Sequence, residues 1–262
     1  MKTKRVDFYY FSSTGNTILL VEQMKSIFES RSLEVQCHCI PNVKPEAIDI
    51  RNTTIGIAFP VAYFSSYPFV WRFLKRMPIA KGVDAFVVNS SRQHSGTIRR
   101  QLYDLLAKKG YKPIGIGEIP MPSSANFQPY DEEIYEDSVQ EGVLRAEMFA
   151  LSLLDNSSVW PSENMMSKLT ELFKLRKLAW RFLNRDFKLV IDTMKCIRCG
   201  ICYKLCPADN IEMEHYPEYL DKCQHCFRCV SYCPADAIKF KDKEKFYPHT
   251  PVPHEKILEF SL

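Results

Sequence analysis

Eight of the ten cysteines fall into two copies of one spacing pattern. The copies are Cys196, Cys199, Cys202 and Cys206 before Pro207, and Cys223, Cys226, Cys229 and Cys233 before Pro234. Each copy reads C-x2-C-x2-C-x3-C-P, which is typical of the run that holds a cubane iron–sulfur cluster. Two copies predict two [4Fe–4S] clusters, and two clusters imply a path for single electrons.

The ligand sets follow from how paired runs share their cysteines. In two-cluster proteins the fourth cysteine of each run binds the other cluster. We therefore expect one cluster on Cys196, Cys199, Cys202 and Cys233, and a second on Cys223, Cys226, Cys229 and Cys206. Zinc sites are the alternative because C-x2-C pairs also bind zinc, although zinc rarely uses four cysteines packed so closely before a proline. A second alternative is that the clusters only stabilise the fold and carry no electrons.

The two remaining cysteines, Cys37 and Cys39, alternate on a predicted strand. Their side chains then face the same way and His38 faces the other way, which counts against a metal site. Buried cysteine is common, so we expect both thiols to pack in the core.

A second candidate site follows the first predicted strand. Its residues are Ser12, Ser13, Thr14, Gly15, Asn16 and Thr17. Hydroxyls and backbone N–H groups at a helix N-terminus form an anion cradle, and glycine permits a tight turn. The loop lacks the lysine of a nucleotide P-loop, so it suits one phosphate monoester. The alternative is an ordinary helix cap.

Strand and helix alternate along the first 155 residues or so. The predicted strands are 4–11, 33–40, 53–59, 84–90 and 111–119, and the predicted helices are 17–30, 67–77, 96–109 and 132–154. This pattern predicts a doubly wound parallel sheet of five strands, of the α/β class. Ligands of such sheets bind beyond the carboxyl ends of the strands, so the loop at Ser12 is well placed.

The chain divides into four predicted segments. They are a domain at 1–157, a linker helix at 158–187, a cluster module at 188–245 and a tail at 246–262 to which the sequence gives no role. Within the module, residues 196–213 repeat as 223–240 with an offset of 27. The linker helix is amphipathic and basic. Such a helix can lie on a membrane surface, but it more often packs on its own protein, so we expect no membrane contact.

Composition excludes several classes of protein. The net charge is only +4, and residues 161–188 carry seven basic and three acidic side chains. This excess is too local for a nucleic-acid-binding protein. We expect no transmembrane segment because no apolar run is long enough. Asp7 interrupts the apolar start, and no cleavage site follows, so we expect no signal peptide. Clustered cysteines then fit metal binding in the cytoplasm.

Residues 190–240 resemble the two-cluster bacterial ferredoxins, and the Ser12–Thr17 loop resembles the [ST]-x-T-G-x-T loop by which flavodoxins bind the FMN phosphate. Together the two halves resemble the flavodoxin–ferredoxin fusion family. This resemblance implies a flavodoxin-like domain, a small α+β ferredoxin domain and bound FMN.

The flavin ring would then lie against two later loops. One contributes Pro60, Tyr63 and Phe64, whose aromatic rings suit a flat cofactor or alternatively pack in the core. The other contributes Asn89, Ser90 and Ser91. Family members commonly have a Tyr-Gly-Gly type loop here, whereas this chain continues with Arg92, Gln93 and His94. A cation there would stabilise reduced flavin, or the change means weak or absent FMN.

The sequence predicts a protein that passes electrons between two clusters and a flavin, and that serves other redox proteins through small transient interfaces. One alternative is a flavin-dependent reductase of a small-molecule acceptor, with Arg92 and His94 handling substrate or protons. Another is a non-enzymatic iron–sulfur redox sensor. The histidines in irregular polar segments are expected to face solvent, and they are His215, His225, His249 and His254.

Overall fold

The computed structural model describes residues 3–62, 65–92, 98–161, 188–241 and 245–259. Of the predicted linker helix at 158–187, residues 162–187 lie outside these ranges, as do Tyr63, Phe64, Gln93 and His94.

A five-stranded sheet forms the centre of the N-terminal domain. Its strands are β1 (Arg5–Tyr10), β2 (Glu34–Cys39), β3 (Thr54–Pro60), β4 (Val83–Ser91) and β5 (Tyr111–Pro120). The order is β2-β1-β3-β4-β5 and every pairing is parallel. This is the flavodoxin-like order, in which the site lies where the strand order reverses, between β1 and β3. The predicted fold class is confirmed.

Four helices accompany the sheet. They are α1 (Asn16–Ser30), α2 (Pro68–Arg76), α3 (Ile98–Lys108) and α4 (Glu132–Leu154). Each begins and ends within two residues of its predicted bounds. The start of α4 is set by Asp131, whose carboxylate accepts the N–H groups of Glu133 and Ile134 at 3.0 and 3.2 Å. Such a cap satisfies donors that the first turn leaves unpaired.

Both faces of the sheet are buried because side chains alternate along each strand. On one face Val87 of β4 packs with Trp71 of α2 and Leu102 of α3. On the other, Phe86 of β4 packs with Phe28 of α1 and Ala146 of α4. Burial on both faces explains why the strands are almost continuously apolar. The parallel pairing of β1 with β3 and of β3 with β4 places the carboxyl ends of these strands side by side.

The cysteine-rich module is built from short elements. They are β7 (Leu189–Ile191), α5 (Ile201–Leu205), β8 (Ile211–Met213), β9 (Pro217–Tyr219), α6 (Arg228–Ser231) and β10 (Ile238–Phe240). Strand β7 pairs antiparallel with β10, and β8 pairs antiparallel with β9. The sequence repeat is also a backbone repeat. Positive φ angles recur at an offset of 27, at Arg198 and His225, Gly200 and Phe227, and Asp209 and Asp236.

The tail joins the N-terminal domain. Residues Tyr247–Pro248 form β11, which pairs antiparallel with β6 (Ala125–Asn126), and His254–Glu259 form α7. Val252 and Ile257 are buried in the core on the α1 side of the sheet, and the ammonium of Lys256 lies 2.6 Å from Glu22. No helix among the described residues has the length and apolar character that crossing a membrane requires.

Candidate cofactor sites

Four cysteines line one cavity in the module, together with Met213, Pro217 and Ile238. They are Cys196, Cys199, Cys202 and Cys233, the set predicted for the first cluster. The pKa of the Cys202 thiol is raised to about 11, chiefly by burial and also by the neighbouring thiols of Cys199, Cys233 and Cys196. The structure thus brings together three cysteines of the first repeat and the last cysteine of the second.

The set predicted for the second cluster is also brought together. Burial raises the pKa of Cys226 to about 12, against the opposing charge of Arg228, and Cys206 and Cys223 add to the rise. Burial likewise holds the pKa of Cys229 well above its usual range, with Cys226, Cys223 and Cys206 as neighbours. The hydroxyl of Tyr219 donates to the sulfur of Cys229 at 3.5 Å.

The fourth cysteine of each run is held in the same way. The N–H of Asn210 donates to Cys206 Sγ at 3.3 Å, and the N–H of Ala237 donates to Cys233 Sγ at 3.3 Å. Hydrogen bonds to the sulfurs are among the factors that set cluster potentials. Within the described ranges, no three His, Cys, Asp or Glu side chains converge as the ligands of a single metal ion.

Cys37 and Cys39 lie apart from these sets on β2. Cys39 is buried, and Cys37 packs against the core on the α1 side. Burial raises the pKa of Cys37 to about 11, which agrees with a neutral thiol used for packing.

The loop between β1 and α1 is held by its own hydroxyls. Ser12 Oγ accepts the N–H of Gly15 at 3.0 Å. Thr14 Oγ1 donates to Ser124 Oγ at 2.6 Å, and Thr17 Oγ1 lies 2.9 Å from Ser90 Oγ. The turn needs glycine because Gly15 has a φ of 125°. The first N–H groups of α1 have no partner within the helix and therefore suit an anion.

This loop forms one wall of a cavity of about 210 Å³ at the carboxyl ends of the strands. Eight of the residues predicted for the flavin site line it: Ser12, Ser13, Thr14, Asn16, Thr17, Pro60, Ser90 and Ser91. Gly15 and Asn89 belong to the same loops but do not line the cavity. Tyr63 and Phe64 are outside the described residues.

The polar groups of this cavity, both donors and acceptors, fit an FMN-type cofactor. Ser91 Oγ and Asn16 Oδ1 are buried and make no hydrogen bond within the described structure. Arg92, which also lines the cavity, brings a positive charge to it. Hydroxyls, amides and one cation are the groups that a phosphate and a polar ring edge require.

Sequence reasoning missed two other walls of this cavity. Residues 121–125 follow β5 and include Ser123 and Ser124, while Cys226 and Phe227 come from the cysteine-rich module. The contribution of β5 could have been anticipated, since the carboxyl ends of neighbouring parallel strands meet at one edge. Nothing local in the sequence indicates that the module closes the cavity.

Hydrogen bonds join the module to the N-terminal domain, and those that reach the loop are buried. Nε and Nη2 of Arg228 donate to the carbonyl oxygen of Ser12 at 2.9 and 2.6 Å. The N–H of Phe69, at the start of α2, donates to Gln224 Oε1 at 3.0 Å. As a result Cys226, a predicted ligand of the second cluster, lies in the wall of the candidate flavin cavity.

Two of the four histidines expected at the surface are buried, so that expectation was wrong for them. His225 is 3% exposed and His249 is 9% exposed, whereas His215 is exposed. Burial lowers the pKa of His225 to about 4 and also lowers that of His249. Both lie where the module or the tail meets the N-terminal domain, which is a tertiary effect.

Each half of the chain is similar to known proteins. Residues 188–244 match a family described as the 4Fe-4S dicluster domain. No curated protein matches the chain. Three similar solved structures are a flavodoxin from the domain Archaea, two-electron reduced Megasphaera elsdenii flavodoxin and a Streptococcus pneumonia TIGR4 flavodoxin. In that order the identities are 16%, 18% and 14%, with TM-scores of 0.37, 0.40 and 0.42. The matches cover 55%, 53% and 56% of this chain and 97%, 97% and 99% of the other.

The flavodoxin-like fold is assigned by the strand order rather than by these weak likenesses. A flavodoxin-like sheet therefore precedes a 4Fe–4S dicluster domain in one chain, which supports the resemblance to the fusion family at both ends. The combination suggests electron transfer.

Proposed function

We propose that this protein carries single electrons between two [4Fe–4S] clusters and an FMN held by the N-terminal domain. The ligands are the two cysteine sets predicted from the spacing, and the phosphate lies on the loop of Ser12 to Thr17. When bound, the cofactors supply the chemistry: one electron at each cluster, and one or two at the flavin.

One observation carries this proposal. Cys226 lines the cavity that also contains Ser12, Thr14 and Ser90, so the second cluster and the flavin would share a wall. A shared wall suits an internal electron path, because the route needs no partner protein between the two cofactors. The first cluster lies on the exposed side of the module, where Cys199 reaches solvent, and it faces outside redox proteins.

The first experiment counts cofactors on the full chain purified without oxygen. We expect about eight iron and eight sulfide per chain from two cubanes, and one FMN. Zinc in place of iron would contradict the cluster assignment. The variant Thr14→Glu places a carboxylate where the phosphate binds, so it should lose FMN and keep iron. FMN that stays bound would contradict the placement of the phosphate.

The second experiment separates a carrier from the two alternatives. The clusters are reduced by a light pulse, and the flavin absorbance is followed at several protein concentrations. A rate that does not depend on protein concentration supports internal transfer. Rapid turnover of a quinone with no protein partner would favour a reductase, and binding of a partner that follows cluster occupancy but not reduction would favour a sensor. Eight cysteines grouped as metal ligands agree with a reducing compartment such as the cytosol.

A further inference from the structure

Arg228 is a buried cation between the two candidate cofactor sites. It is 3% exposed and lies between two predicted ligands of the second cluster, Cys226 and Cys229. Its guanidinium donates twice to the carbonyl oxygen of Ser12 and once, at 3.3 Å, to that of Leu205. Its carbon Cζ lies 4.4 Å from the centre of the Phe11 ring.

No carboxylate balances this charge in the described parts of the chain. The ion pairs found there do not include Arg228. Arginine stays protonated in proteins, and a buried charge is costly unless something compensates it. The three hydrogen bonds to carbonyl oxygens and the contact with the Phe11 ring compensate the buried charge of Arg228 only in part. A cluster held by four thiolates is an anion and would supply the rest.

Among the described residues, the repeat places such a buried cation beside the second cysteine set and not at the equivalent position of the first. The residue equivalent to Arg228, 27 positions earlier, is Ile201. Ile201 lines the cavity of the first cysteine set and carries no charge. The nearest sequence counterpart there, Arg198, is exposed and lies over the ring of Tyr216, where solvent screens its charge. The two sites therefore differ in electrostatics although their ligands match.

We propose that Arg228 is a positioning residue whose buried charge makes the second cluster easier to reduce than the first. Net charge is one of the factors that set cluster potentials, and each reduction adds one negative charge that the guanidinium stabilises. One electron leaves the reduced first cluster and enters the oxidised second cluster, and no bond or proton changes. Electrons thus collect beside the flavin cavity. This inference rests on the proposed function.

The experiment is a redox titration of the loaded full chain, followed by electron paramagnetic resonance so that the two clusters are separated. In Arg228→Gln we expect the reduction equilibrium of the second cluster to fall about tenfold, which is 59 mV for a one-electron couple. The first cluster should change much less. Arg198→Gln removes an exposed charge beside a predicted ligand. It should change the reduction equilibrium of either cluster less than threefold.

Arg228→Lys keeps the charge but loses the paired bonds to Ser12. The reduction equilibrium of the second cluster in this variant should stay within threefold of the wild-type value. If Arg228→Gln does not assemble its clusters, Arg228→Lys alone tests the proposal. A tenfold fall in Arg228→Lys would overturn the proposal, as would equal potentials of both clusters in the wild type or no shift in Arg228→Gln. Failure of the proposed function is distinct, since iron or FMN would then be absent from the wild-type protein.

Discussion

The hydroxyl of Tyr232, in the cysteine-rich module, donates to the carbonyl oxygen of Thr14, 2.6 Å away in the candidate phosphate loop. The same hydroxyl lies 3.0 Å from the carbonyl oxygen of Val252 in the tail. Burial holds the pKa of Tyr232 above its usual range, so the proton stays in place at working pH. One side chain therefore connects the loop, the module and the tail.

Tyr232→Phe should weaken this connection without disturbing the clusters. The change removes one buried donor and leaves the carbonyl of Thr14 without it, which costs about 1–2 kcal/mol of unfolding free energy. Because the loop is then less firmly held, the dissociation constant of FMN should rise several-fold while iron content stays the same. Denaturant unfolding and flavin titration measure the two effects.

Tyr203→Phe is the matched control, since Tyr203 is 52% exposed in the same module. This variant should have the wild-type free energy of unfolding and the wild-type dissociation constant of FMN, within experimental error. A Tyr232→Phe protein with wild-type FMN affinity would show that the phosphate loop does not depend on the module.

Gly15→Ala tests the packing of the loop against the tail. Gly15 has a φ of 125°, which side chains rarely adopt, and a Cβ there would overlap Cγ2 of Val252. We expect the variant to lose stability by more than the ~1–2 kcal/mol of backbone strain alone, and to bind FMN less tightly. Thermal melts and flavin titration report these losses.

Gly82→Ala separates strain from overlap. Gly82 has a φ of 79°, but a Cβ there would meet no atom within 4 Å. Gly82→Ala should therefore lose stability through backbone strain alone and bind FMN as tightly as the wild type. If Gly15→Ala and Gly82→Ala behave alike, the contact between Val252 and the loop has no part in holding the flavin.

The sheet could be predicted from the sequence because each of its elements has a local signal. The buried strands are apolar runs, and α1 shows apolar residues at helical spacing from Ile18 to Phe28. The cysteine sets were also predictable, because their spacing is itself the signal. In both cases the residues that carry the information are close together in the chain.

The contacts between the parts could not be predicted in this way. Arg228 reaches Ser12 across 216 positions, and β11 pairs with β6 over two residues only. Neither contact creates a period or a spacing that a single sequence displays. The same reason explains the buried histidines, since the segments around His225 and His249 look polar until another part of the protein covers them.

The crossed ligand sets that we propose give a further prediction. Cys233→Ser, in the second repeat, should remove the first cluster, because Cys233 lines the cavity of Cys196, Cys199 and Cys202. Iron should fall from about eight to about four per chain, the content of one cubane. Electron paramagnetic resonance should show the signal of the second cluster alone.

Cys206→Ser should give the opposite result, with the first cluster retained. Cys37→Ser is the control and should keep all the iron, as Cys37 lies on β2 away from both sets. Loss of the second cluster from Cys233→Ser would mean that each run serves its own cluster.

His249 gives a prediction about pH. The ring of His249 lies among those of Tyr130 and Tyr135, with centres 5.9 and 5.0 Å away, and burial lowers its pKa. An unfolded chain then takes up a proton near the ordinary histidine pKa of about 6.5, whereas the folded chain takes it up only at lower pH. This contribution to stability should be fully present above about pH 6.5, the unfolded pKa, and should be lost as the pH drops from there toward the lowered folded pKa.

His249→Phe keeps an aromatic ring and removes this titration. Glu132 and Glu136 line a surface cavity together with His249. These carboxylates and the other histidines remain in both proteins, so their effects cancel in the comparison. The difference in melting temperature between wild type and variant should change from pH 7.5 to pH 5.5, with the wild type losing more. A difference that stays constant over this range would mean that His249 binds its proton equally well in the folded and unfolded chains, and that its burial against Tyr130 and Tyr135 does not control its pKa.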